Sequence, residues 1–113
     1  MYAAIRRYRV SPGSVDEVTR RVKDEFVPMI SQAPGFVSYD VLSSGDGTVT
    51  SISFFQSKAG ADQSTQMASG WVRERLSSLL PNPPDVTAGD ITLHAEAGQG
   101  TGQTTSTRQQ TSR

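Results

Sequence analysis

Pro34 and Gly35 separate two incompatible patterns in this chain. Before them, Val15, Val18, Val22, Phe26, Met29 and Ile30 recur at helical spacing and draw one apolar stripe. After them, Val37, Tyr39 and Val41 alternate with Phe36, Ser38, Asp40 and Leu42, the period of a strand with two different faces. Pro34 keeps Ala33 away from helical angles, and Gly35 can take the left-handed backbone that closes a helix. The chain must therefore reverse here and return along the helix it has left. Ser14 followed by Glu17 reads as a capping box at the helix start, and Pro28 is expected to kink or tighten the last turn.

The remaining segments extend this pattern. Tyr2 to Val10 is rich in strand formers and ends at the turn signal SPGS. Ala3, Ile5, Arg7 and Arg9 lie on one face, and Tyr2, Ala4, Arg6, Tyr8 and Val10 on the other. SSGDG reads as a hairpin turn leading into a strand from Thr48 to Gln56. A second helix is predicted from Ala59 to Leu80, with Met67, Trp71, Val72, Leu76, Leu79 and Leu80 as its apolar side and a start weakened by DQSTQ. PNPPDVTAG reads as a proline-rich connection, and Asp90 to Ala97 as a last strand in which Ile91, Leu93 and Ala95 alternate with Thr92, His94 and Glu96.

Strand, helix, strand, strand, helix, strand is the order of an α+β, ferredoxin-like βαββαβ domain with an antiparallel four-stranded sheet. Two helices cover one face of such a sheet. The other face keeps aromatic and aliphatic side chains, and a stable interface buries about 800 Å² per partner, so a homodimer through the open face is the expected assembly.

One domain spanning 1–97 is expected, followed by a polar segment, 98–113, with no large apolar residue and the composition of a disordered tail. The absence of cysteine excludes disulfides and thiolate chemistry and fits the reducing cytoplasm. Eleven basic residues balance eleven acidic ones, which gives no electrostatic reason to expect a nucleic-acid partner. The short apolar run before Arg6 is expected to be neither a leader nor a membrane span. No phosphate-cradling loop, metal-binding histidine pair or nucleophile elbow is present, and no cofactor is expected.

APGF at the end of a helix, then VSYDV, a hairpin and a final ITLH, together with SPGSVDE, SISFFQSKAGADQS and MASGWVRERL, resemble the antibiotic biosynthesis monooxygenase family of the dimeric α/β barrel superfamily. The resemblance covers Met1 to Glu96. FVPMISQAPGFVSYDV and GWVRERLSSLLPNPPDVTAGDI are similar, more narrowly, to a branch of small bacterial proteins with no established reaction. The resemblance implies a homodimer acting on a small aromatic or quinone-like metabolite by cofactor-independent oxygenation. In that chemistry the protein contributes positioning, a proton acceptor and a dry pocket. The alternative it leaves open is a non-catalytic ligand-binding or scaffold dimer. Phe55 stands where the family commonly has tryptophan, and Gln66 where it commonly has histidine. The haem-degrading branch needs that histidine as an iron ligand, so haem degradation is disfavoured.

On this basis the catalytic candidates are His94, Tyr39 and Arg7, and the substrate-pocket candidates are Trp71, Phe55, Gln66 and Tyr8. Each has a plainer reading: His94 as an interface or rim residue, Trp71 as core, the tyrosines as buried phenols needing a partner. Arg6, Arg7 and Arg9 alternate across the first strand, so at least one of them faces a buried side. Such an arginine either pairs with a carboxylate, Asp40 being the nearby candidate, or holds an anionic or enolate substrate.

Overall fold

The computed structural model describes residues 1–97; the predicted tail, 98–113, lies outside the described residues. Four strands, β1 (Tyr2–Arg9), β2 (Phe36–Ser43), β3 (Thr48–Phe55) and β4 (Asp85–Asp90), form one antiparallel sheet in the order β2-β3-β1-β4. Helices α1 (Val15–Arg21), α2 (Val27–Ile30) and α3 (Lys58–Arg75) pack on one face of it. The fold is the α+β, ferredoxin-like arrangement expected from the pattern of elements.

Strand alternation assigns the faces. Ala4, Arg6 and Tyr8 of β1 look toward the helices with Val49, Ser51, Ser53 and Phe55 of β3, and all seven are buried. The opposite face carries Ile5, Arg7 and Arg9 beside Thr50, Ile52 and Phe54, then Asp40 and Leu42 of β2. A register shift between Phe36 and Ser38 modifies the simple alternation. It moves Phe36 to the helix side, where its ring meets Phe55 edge-on at 5.7 Å, and leaves Val37 as the exposed extra residue.

Several local expectations are corrected. Ser14 makes no side-chain cap bond; Glu17 turns instead to Arg20 and Arg21, since two guanidinium groups one turn away attract its carboxylate more strongly than a backbone amide. The stretch before Pro28 widens rather than tightens: Val22–Phe26 is a π-helical segment between α1 and α2. The proline ring clashes with the carbonyl four residues back, at Asp24, and a wider turn relieves that clash. Met29, counted in the apolar stripe, is exposed.

The second helix stops at Arg75, and Leu76, Leu79 and Leu80 pack from the turns that follow. The last strand is Asp85–Asp90 and not Asp90–Ala97. It lies on the sheet edge with its side chains mostly exposed, so backbone pairing to β1 defines it and hydrophobic alternation does not. Leu93, counted as an inward residue of that strand, is 85% exposed.

α3 approaches the sheet through small residues: Gly60, Ala61, Ser64 and Ala68 are its buried positions besides Trp71. Ser57 caps it by accepting a bond from the Gly60 amide at 3.2 Å. A Cβ at Gly60 would stand 2.8 Å from the Phe55 ring and 3.0 Å from the Pro34 carbonyl, whereas a Cβ at Gly70 would meet nothing within 4 Å. Opposite outcomes are expected from the same change in one helix. Gly60→Ala should lower stability by about 1–3 kcal/mol, and Gly70→Ala should raise it by about 0.5–1 kcal/mol. Chemical denaturation of the two variants checks this, and a gain at both sites would contradict the close approach of α3 to the sheet.

Candidate functional site

Between the helices and the inner face of the sheet lies a cavity of about 30 Å³. Its walls come from every layer: Arg6 and Tyr8 on β1, Tyr39 on β2, Ser51 on β3, Phe26 on the π-helical segment and Trp71 on α3. Val18, Val22, Val41, Val49, Ala68, Val72, Leu76 and Leu80 complete an apolar lining. One water needs roughly 10–15 Å³ by this measure, so the space holds a small group and no ring.

Arg6 is the unusual wall residue. It is 1% exposed, because β1 is a central strand and α3 lies across it. Its Nη1 donates to Thr65 Oγ1 at 3.2 Å and its Nη2 to Ser53 Oγ at 3.0 Å. Among the described residues no carboxylate forms an ion pair with it. Asp40, the partner expected from sequence, pairs across β3 with Ile52 and so occupies the outer face. Arg6 Nε is buried without a protein hydrogen-bond partner, and Ser51 Oγ, also buried, reaches only the neighbourhood of the Tyr39 phenol without hydrogen-bond geometry.

The two phenols beside Arg6 are shifted the same way. Burial pushes Tyr8 above the ordinary phenol value, with the Arg6 charge opposing. Burial pushes Tyr39 up as well, against the Ser51 hydroxyl and Arg6. Both are neutral hydroxyls at physiological pH and can donate.

An aromatic cluster lines the cavity. Phe26 lies 5.3 Å from Trp71 and 5.7 Å from Tyr39, ring centre to ring centre. Glu25, next to Phe26 on the π-helical segment, holds the far side of Trp71: its Oε1 accepts from Trp71 Nε1 at 3.3 Å and from Arg75 Nε at 2.9 Å, and its Oε2 accepts from Arg75 Nη2 at 3.2 Å. Arg21 Nη1 donates to the Arg75 carbonyl at 2.8 Å and ties α1 to the end of α3.

Of the residues singled out from sequence, Tyr8, Tyr39 and Trp71 meet around this cavity. Phe55 is fully buried against Phe36 and Gly60 and does not border it. Gln66 is exposed on α3. Arg7 projects from the opposite face of the sheet into an open groove of about 510 Å³ that it shares with Arg9, Leu42, Asp46 and Asp85. His94 lies beyond β4, exposed, with its Nε2 3.0 Å from Glu96 Oε2. Ser51, Thr65 and Glu25 were not anticipated; a hydroxyl or carboxylate in a helix or strand pattern carries no sign of which cavity it will meet. Among the described residues no cluster of histidine, cysteine, aspartate and glutamate could hold a metal ion, and no helix is long and apolar enough to cross a membrane.

The described residues form a ferredoxin-like domain with a partly open, aromatic-walled cavity between helices and sheet. The chain belongs to the antibiotic biosynthesis monooxygenase family, whose model matches residues 1–69. It is similar in structure to a protein of unknown function from Nitrosomonas europaea, with 18% identity, 83% of this chain and 91% of that one covered, and a TM-score of 0.70. It is similar also to Rv0793 of Mycobacterium tuberculosis, at 23% identity, with 84% and 98% covered and a TM-score of 0.66. A monooxygenase of Streptomyces coelicolor, solved in complex with nanaomycin D, matches at 23% identity, with 83% and 89% covered and a TM-score of 0.68. Among curated proteins none matches.

The Glu25 contact makes a titration readable. Hydrogen bonding from Arg75 is the main reason that the Glu25 carboxyl lies below the ordinary glutamate value. The contact is therefore present above the unfolded pKa and is lost as pH falls through the lower, folded one. Trp71, the single tryptophan, reports it. Its emission should change in a step below the ordinary glutamate range, and Glu25→Gln should abolish that step; a step that survives the substitution would show that Trp71 senses another group.

Proposed function

We propose that this protein is a cofactor-independent monooxygenase acting on a small aromatic or quinone-like metabolite, working in the cytoplasm as a homodimer. The observation that supports this best is the cavity between helices and sheet, where Tyr8, Tyr39, Phe26 and Trp71 offer aromatic faces around buried polar donors. An electron-rich ring carbanion or enolate reduces dioxygen without help once it is kept dry and oriented. In such a reaction a ring methylene becomes a carbonyl. One oxygen atom enters the carbon, the other leaves as water, and the substrate supplies all the electrons.

At about 30 Å³ the cavity is far smaller than the roughly 300–1,000 Å³ of an ordinary ligand pocket, so a substrate ring must displace side chains to enter. The π-helical segment carrying Phe26 is the natural place for this, because its hydrogen-bond ladder is the least regular part of the first helix. A second reading, a ligand-binding dimer without turnover, is favoured by one observation: the described cavity walls include no imidazole and no carboxylate to accept a proton.

The dimer proposal rests on the outer face of the sheet. Ile5, Ile52 and Phe54 form an apolar centre there, Leu42 is 54% exposed, and Arg7, Arg9, Asp40 and Asp85 place both charge signs on one surface. A face carrying both signs can meet its own copy across a two-fold axis. Sedimentation at micromolar concentration should give a dimer, and Phe54→Asp should give a folded monomer. A monomeric wild type would remove this proposal.

Oxygen uptake with a panel of anthrones and dihydroxynaphthalenes tests the reaction itself. Turnover is expected, with kcat/KM reduced about three- to tenfold by Trp71→Leu, the loss of one aromatic wall. Tight binding with no uptake by any of the panel would establish the second reading instead.

A further inference from the structure

We propose that the cavity takes its ligand as a preformed oxyanion, an apolar ring bearing one ionised oxygen that sits against Arg6 Nε and Ser51 Oγ. The inference rests on reading the cavity as the ligand site and adds the charge state of what enters it.

Two features lead to it. The first is the charge of the site. A buried guanidinium costs several kcal/mol unless an anion compensates it, and the groups facing Arg6 are neutral: Ser51 and Ser53 from β3, Thr65 from α3, and the phenols of Tyr8 and Tyr39 from β1 and β2. Glu25, which contacts the wall residue Trp71, is engaged on its outer side by Arg75.

The second is the direction of the unused hydrogen bonds. Arg6 Nε can only donate and is buried without a protein partner at the cavity wall; Ser51 Oγ, which meets no protein group in strict hydrogen-bond geometry but lies beside the Tyr39 phenol, can turn its proton to a ligand. Both phenols can donate too. A site built of donors around a cation is complementary to an oxyanion. It is poorly suited to deprotonating a neutral substrate, since no wall group accepts a proton at neutral pH. Arg6 accordingly selects molecules whose acidic oxygen has already ionised, and this replaces the general base that the walls lack.

Enolates of hydroxyquinones and aromatic carboxylates share this chemistry, and matched pairs tell them apart. Isothermal titration of the full chain would compare 2-hydroxy-1,4-naphthoquinone with its 2-methoxy analogue, and 2-naphthoate with 2-naphthamide. The ionised member of at least one pair should bind about tenfold tighter or more, as a charge-assisted bond in a dry site requires. That advantage should close as the pH falls through the ligand's own ionisation, and Arg6→Gln should erase it. A preference confined to the quinone pair identifies an enolate ligand; one confined to the naphthoate pair identifies a carboxylate. Equal affinities within both pairs would overturn the inference and leave the cavity as a ligand site. Binding by none of the four would overturn the cavity reading itself. The wild-type pH profile decides the matter even if Arg6→Gln fails to fold.

Discussion

A positive charge enclosed beneath α3 organises this molecule. Arg6 sits on a central strand, where a side chain on the inner face has no route to water. Its neighbours are consequently small and polar where a sheet of this kind would ordinarily place valine or isoleucine: Ser51 and Ser53 on β3, with Thr65 on α3. The helix can pass over the guanidinium because Gly60, Ala61 and Ala68 keep its underside thin.

The two faces of the sheet then divide the labour. Arg6 and Tyr8 look inward to the cavity, while Ile5, Arg7 and Arg9 look outward, and alternation along a single eight-residue strand separates the two environments. Glu25 links the cavity to the surface: the π-helical segment that presents Phe26 to the cavity presents Glu25 to Trp71 and Arg75 on its edge.

Much of the fold was legible in the sequence because its signals were local. The stripe from Val15 to Ile30, the break at Pro34 and Gly35 and the turn through Asp46 and Gly47 each act over a few residues, and together they fix the order of elements. What the sequence concealed was decided by distant partners. β4 lies where backbone pairing with β1 places it, although the apolar alternation is stronger from Ile91 onward. Phe36 changes face through a bulge that no turn residue announces. At the site, Tyr8, Tyr39 and Trp71 were readable as aromatic residues on inner faces, and an inward arginine on β1 was readable from alternation. That Arg6 would be the one enclosed, and that Asp40 would lie across the sheet from it, depended on which face the helices cover, and strand periodicity does not say.

Under the proposed reading the ligand-free protein carries an uncompensated cation in order to keep a receptor for an anion, a trade of stability for function. The most direct test is the unfolding free energy of Arg6→Met without ligand. Because the variant removes a buried charge that has no counter-ion while retaining most of the side-chain volume, it should be at least as stable as the wild type, by about 1 kcal/mol or more. A loss of about 3–5 kcal/mol, the signature of breaking a compensated buried pair, would contradict the account.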